Sequence, residues 1–173
     1  MKHEHWLRFT WDLAALGPLD TNLPEHYEIA PTTTADEKEL RKVISSSFTL
    51  DPAWNAAIHE VTQLLDPWLD RAFASEDALL FALRHGTRII GAAVLSADAG
   101  TDNHFAPGPC ILPEYRNRSF GTRLLAHSLA TLRDAGLHQA STIAKQNSPV
   151  AKFLYPKFHG VATPHDFTPL LAA

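Results

Sequence analysis

The sequence predicts an α+β domain, one sheet flanked by helices, and three observations carry that expectation. Segments whose apolar residues alternate with a period of two are interleaved with segments of helical period. Helix-start signals, Thr34 with Glu37, Asp51-Pro52, Asp66-Pro67 and Ser148-Pro149, fall between them. The chain has 173 residues, enough for one ordinary domain with its own core.

Taken in order, Leu7, Phe9, Trp11 and Leu13 alternate with Arg8, Thr10 and Asp12, the pattern of a half-buried strand. The breaker-rich stretch Gly17 to Pro24 separates it from a short strand near Tyr27 to Ala30. Thr34 and Glu37 form a capping box, after which Leu40, Val43, Ile44 and Ser47/Phe48 share a helical face. Asp51-Pro52 opens a second helix carrying Trp54, Ile58, Val61 and Leu65, and Asp66-Pro67 restarts it as a short piece to about Phe73. Two apolar strands around His85-Gly86 read as a hairpin. The polar loop Asp98 to Asn103 leads to a third strand ending at Cys110, Ile111 and Leu112. A long helix follows through Phe120, Leu124, Leu125, Leu129 and Leu132, with Gly136 as its C-terminal cap. Leu137 to Ala144 reads as a strand, Ser148 to about Tyr155 as a last helix, and the remainder as an extended tail.

Composition narrows the functional classes. Apolar residues make up 45% and charged residues 20%, which argues against disorder. One cysteine cannot close an internal disulfide or supply structural zinc, and there is no His-Glu-x-x-His, so no metal is expected. MKHEHWLRF lacks an apolar signal core and no run of about 18 apolar residues occurs, so a cytoplasmic protein without a membrane partner is expected. The net charge of −4 divides into −8 over residues 1–110 and +4 over residues 111–173. With a pI near 6.2 this does not fit a nucleic-acid binder. It suits a small polyanion held by the second half.

The chemistry concentrates in CILPEYRNRSFGTRLLAHSLATLRDAG. A strand ends, a proline follows, and a polar loop with two arginines opens a long helix. The first amides of a helix have no intrahelical acceptor and sit at the positive end of its dipole. Gly121 lets an anion approach the backbone, and Arg116 and Arg118 add guanidinium donors. Neither a P-loop nor a Gly-x-Gly-x-x-Gly fingerprint is present here.

This junction resembles that of the GCN5-related N-acetyltransferases, the GNAT superfamily, whose pattern is Pro-x-x-Arg/Gln-x-x-Gly-x-Gly/Ala. Pro113, Arg116 and Gly121 match, and Ser119 stands at the first glycine. A second likeness is to Asn-x-x-Ala-x-x-Leu-Tyr-x-x-x-Gly-Phe. Ala151, Leu154 and Tyr155 match its spacing, Asn147 sits one residue early with Ser148 at the motif position, and His159-Gly160 replaces Gly-Phe. The resemblance implies a GNAT-like mixed, mostly antiparallel sheet flanked by helices. It divides the chain into an N-terminal extension over 1–26, carrying an extra strand, and a GNAT-like acyltransferase domain over 27–173.

The activity implied is direct transfer of an acetyl group from acetyl-CoA to a primary amine of a small molecule or peptide. On that resemblance the pyrophosphate would lie on the amides of Arg118, Ser119, Phe120, Gly121 and Thr122, with Arg116 and Asn117 nearby. Pantetheine would run along Ile111 and Leu112 and touch Asn147 or Ser148. Tyr155 matches the tyrosine that protonates the leaving sulfur. His104, Asp102 and His138 are the candidates for a base, and Trp54 and Trp68 for an acceptor pocket. Cys110 reads as a small buried thiol rather than a nucleophile. A homodimer is compatible with this reading. The rivals are a non-catalytic acyl-CoA-binding or sensing domain of the same fold and a domain serving only protein interaction.

Overall fold

The computed structural model describes residues 5–49, 58–105 and 108–165. The start signal at Asp51-Pro52 and Trp54 lie outside them. The order is β1 (Trp6–Asp12), β2 (Tyr27–Pro31), α1 (Glu37–Thr49), α2 (Ile58–Ala74), β3 (Ala78–His85), β4 (Arg88–Ser96), β5 (Cys110–Ile111), α3 (Phe120–Asp134), β6 (Gln139–Lys145) and β7 (Val161–His165). Strands and helices mix as the hydrophobic periods indicate, and the class is α+β.

Two hydrogen-bonded sheets form, ordered β2-β3-β4-β5 and β6-β1-β7, and every pairing is antiparallel. The N-terminal strand is therefore central: Trp6 faces Lys145 of β6 and His165 of β7. Its register buries Trp6, Phe9 and Trp11. The link from β1 to β2 runs over α3, where Arg133 donates to the carbonyls of Leu16 and Gly17 at 2.9 and 3.1 Å and Arg123 pairs with Asp20.

β4 is buried at seven consecutive residues, Ile89 to Leu95, so both of its faces are covered. Both α1 and α3 pack on it. α1 contributes Leu40, Val43, Ile44 and Ser47, the face the sequence indicates. Its capping box lies one residue earlier than the spacing suggests. Thr33 N–H donates to Asp36 at 3.0 Å, and a 3-10 turn at Thr34–Asp36 precedes the helix. Asp36 also holds Arg84 at 2.8 Å, a tie that sequence spacing does not reveal.

Asp66-Pro67 does not restart α2. Pro67 lies inside one helix, because burial of Leu65 and Leu69 on the same face continues across it. The last helix is shorter than expected, a π-helical turn at Val150–Leu154, and Pro156 is followed by a 3-10 turn at Lys157–His159. The extended tail contains β7, four of whose five residues are exposed.

Candidate functional site

Between the sheets lies a cavity of about 560 Å3. β5 contributes Cys110 and Ile111 to it, and β6 contributes Ile143, Ala144 and Lys145. No ladder joins β5 to β6 among the described residues, so the cavity follows the seam where the sheets part. Trp6 and Trp68 also reach it, and Phe153, 72% exposed, stands at its rim.

The α3 junction closes one end. Ser119 precedes the helix at φ 66° and ψ 9°, a left-handed conformation that disfavours a side chain. The first α-helical bond is from Arg123 N–H to Ser119 C=O at 3.1 Å, so the amides of 120–122 precede the ladder. Asn117, Ser119, Gly121 and Thr122 line the cavity. A Cβ on Gly121 would meet only the Leu154 methyls, at 3.9 Å, so protein packing does not require glycine there.

The two arginines differ in placement. Arg116 reaches the cavity, but its guanidinium donates to Ile111 C=O and Ser47 C=O, both at 3.0 Å. Arg118 is exposed and lies over the Tyr115 ring at 5.5 Å, a ring that also carries Arg88 at 5.6 Å. The Phe120 side chain is buried and packs on Tyr27 at 4.6 Å, leaving only its backbone for a ligand. Leu112 is buried, and its N–H completes the strand pairing to Ile90 C=O at 2.9 Å.

Asn147 is exposed and is not among the residues that line the other wall. Ser148 is buried and caps the π-helical turn, its hydroxyl donating to Lys145 C=O at 2.7 Å and accepting from Ala151 N–H at 3.3 Å. Tyr155 lines the cavity, packed against Phe9 and Trp11 with ring centroids 5.4 and 5.7 Å away. Its hydroxyl donates to Gly108 C=O at 2.7 Å, and burial pushes the phenol far up. Cys110 is buried and its thiol is pushed up to about 11 by desolvation, partly offset by Ser47 and the Arg116 charge. A thiol kept protonated in this way is a poor nucleophile.

None of the three base candidates lines the cavity. His104 is buried: its Nδ1 accepts from Ser141 N–H at 3.0 Å, and its Nε2 donates to Asp98 C=O at 3.1 Å. Asp102 pairs with Arg8 at 2.7 Å. His138 is exposed, and its carbonyl accepts from Leu13 N–H. The described lining carries Arg116, Lys145 and Lys157 and no carboxylate or imidazole. Trp6, Lys145 and Lys157 were not legible as site residues, because strand pairing and a tertiary turn bring them there.

A strand edge without a ladder among the described residues, leading through a cavity with cationic lining to helix amides that precede the ladder, fits an extended amide-bearing arm that ends in phosphates. The chain matches the acetyltransferase (GNAT) family model over residues 38–160 and belongs to that family. A GCN5-related N-acetyltransferase from Sphaerobacter thermophilus is similar with a TM-score of 0.69 and 15% identity, over 93% of this chain and 49% of that one. A GNAT family acetyltransferase from Brucella melitensis, in complex with acetyl-CoA, gives 0.51 and 22%, over 66% of this chain and 73% of its own. The PaiA N-acetyltransferase of Thermoplasma acidophilum, in complex with coenzyme A, gives 0.52 and 16%, over 64% and 74%. At these identities the likeness establishes the fold. The chain spans about half the length of the Sphaerobacter protein and under two thirds of several others. No curated protein matches it.

Proposed function

We propose that the chain is an N-acyltransferase that moves an acetyl group from acetyl-CoA directly to a primary amine of a small molecule or peptide. The observation that carries this is the continuity of the cavity from Ile111 on β5 to Gly121 and Thr122 on α3. The amides of 120–122 would hold the diphosphate, with the dipole of α3 behind them. Acetyl-CoA supplies an activated thioester, and this chain orients it. Leu112 points its N–H toward β4, so by strand alternation Ile111 turns its N–H to the free edge, where a developing oxyanion would be met. The amine forms the new N–C bond as the C–S bond breaks, Tyr155, held as phenol beside the cavity, protonates the departing sulfur, and the proton lost by the nitrogen as it becomes an amide restores the phenol. With no carboxylate or imidazole in the described lining, the amine enters neutral.

A second reading is an acyl-CoA-binding or sensing domain without turnover. The hydrogen bond from Tyr155 to Gly108 C=O favours it, since that proton is already engaged. One pair of measurements separates the two. Acetyl-CoA at 100 times its Kd raises the stability of either by about 2.7 kcal/mol, read as a higher melting temperature. Thiol release over an amine panel, lost in Tyr155→Phe, supports the enzyme. Stabilisation without thiol release from any amine leaves the sensor, and no stabilisation removes both.

A further inference from the structure

We propose that Arg116 is a positioning residue that braces the edge of β5 against the end of α1, and not a ligand of the cofactor phosphates. The inference rests on the acetyl-CoA reading above. Nε donates to Ile111 C=O and Nη2 to Ser47 C=O, each at 3.0 Å, so one guanidinium joins two elements through acceptors 64 residues apart in sequence.

Ser47 lies in the last turn described for α1 (Glu37–Thr49), toward the negative end of the helix dipole, and a guanidinium on its carbonyl complements that dipole. Ile111 lies on β5, which among the described residues pairs with β4 alone. Its register, Gly91 opposite Ile111 with Leu112 N–H bonded to Ile90 C=O, turns the N–H and C=O of Ile111 away from β4. Arg116 occupies that outward carbonyl and leaves the outward N–H as the group of this residue that can pair with an arm laid along the strand. The fork of arginine spans two acceptors at once, which a lysine ammonium on a single flexible stem does not reproduce.

The consequence is a division of labour. The nucleotide half of coenzyme A rests on the α3 amides, independent of Arg116. The acyl-pantetheine half depends on Arg116, because it needs β5 held in register.

Two probes separate brace from phosphate ligand: acetyl-CoA, and 3′-phosphoadenosine 5′-diphosphate, which keeps the phosphates and lacks the pantetheine arm. Calorimetric Kd values are compared for the wild-type chain, Arg116→Ala and Arg116→Lys. Acetyl-CoA affinity is expected to fall about tenfold in both variants, the scale of a lost charge-assisted hydrogen bond, while the nucleotide changes less than about twofold. Equal losses on both probes, recovery of acetyl-CoA affinity by lysine, or unchanged acetyl-CoA affinity in the folded alanine variant each overturn the proposal. If alanine fails to fold, the lysine variant decides by the same ratio. A wild-type chain that binds neither probe overturns the acetyltransferase reading, and this inference with it.

Discussion

The role proposed for Gly121, holding the diphosphate, is separable from its contribution to folding. It is the second residue of α3, and a methyl there meets nothing closer than Leu154 at 3.9 Å. Alanine is the better helix former by up to about 1 kcal/mol. Gly121→Ala is therefore expected to raise the urea midpoint slightly while weakening acetyl-CoA about tenfold or more, since the methyl occupies space the phosphates need. A stabilised variant with unchanged affinity would move the diphosphate away from this amide. Ser119 presents the opposite case: the sequence marks it as a small residue where the family has glycine, and at φ 66° it holds a conformation glycine adopts freely. Both positions were legible because the physics is local, a strand end, a proline and a helix start within ten residues. Arg116 was legible as a cation and not as a brace, since its partner Ser47 lies 69 residues away and only the tertiary fold joins them.

Among the elements, β1 departs most from what its place in the sequence suggests. The alternation of Phe9, Trp11 and Leu13 identified a strand, but no short turn tied it to a neighbour, so its register could not be read. It lies between β6 and β7, which leave four of the five β7 residues exposed and without a readable pattern. Trp11 fixes it there. Fully buried, its indole N–H donates to Lys157 C=O at 3.0 Å, and its ring meets Phe105 and Tyr155 edge-on at 5.4 and 5.7 Å. Trp11→Ala is expected to lower unfolding stability by about 3–5 kcal/mol, a large share of the total for a domain of this size. A loss under about 1 kcal/mol in urea titration would mean that residues 1–26 are a dispensable extension. Pro67 makes the complementary point: a strong local signal was overridden because Leu65 and Leu69 gain more by sharing one continuous buried face.

Across the whole molecule, the two sheets part to form the cavity, and His104 ties them beside it. Its N–H donates to Ser141 C=O on β6 at 2.7 Å, and its C=O accepts from Ser96 N–H on β4 at 2.9 Å. The ring adds the bond from Ser141 N–H to Nδ1, which requires the neutral imidazole. Burial lowers its pKa from 6.5, as does a bond that needs the neutral ring, against smaller opposing contributions from the Asp98 carbonyl and the Asp98 and Asp102 charges. The unfolded chain thus takes up this proton before the folded one does. Stability is fully present above about pH 6.5 and declines as pH falls below it, by up to about 1.4 kcal/mol per unit until the folded-state pKa is reached. Half-buried His127 shifts the same way, by desolvation, and adds to the slope. Urea unfolding of the wild-type chain at pH 7.5 and 5.5 should show that decline, and His104→Gln should be weaker at both pH values but lose less between them. Equal losses would mean that His104 takes up its proton as readily in the fold as outside it, so that the bond from Ser141 to its Nδ1 does not hold the sheets together.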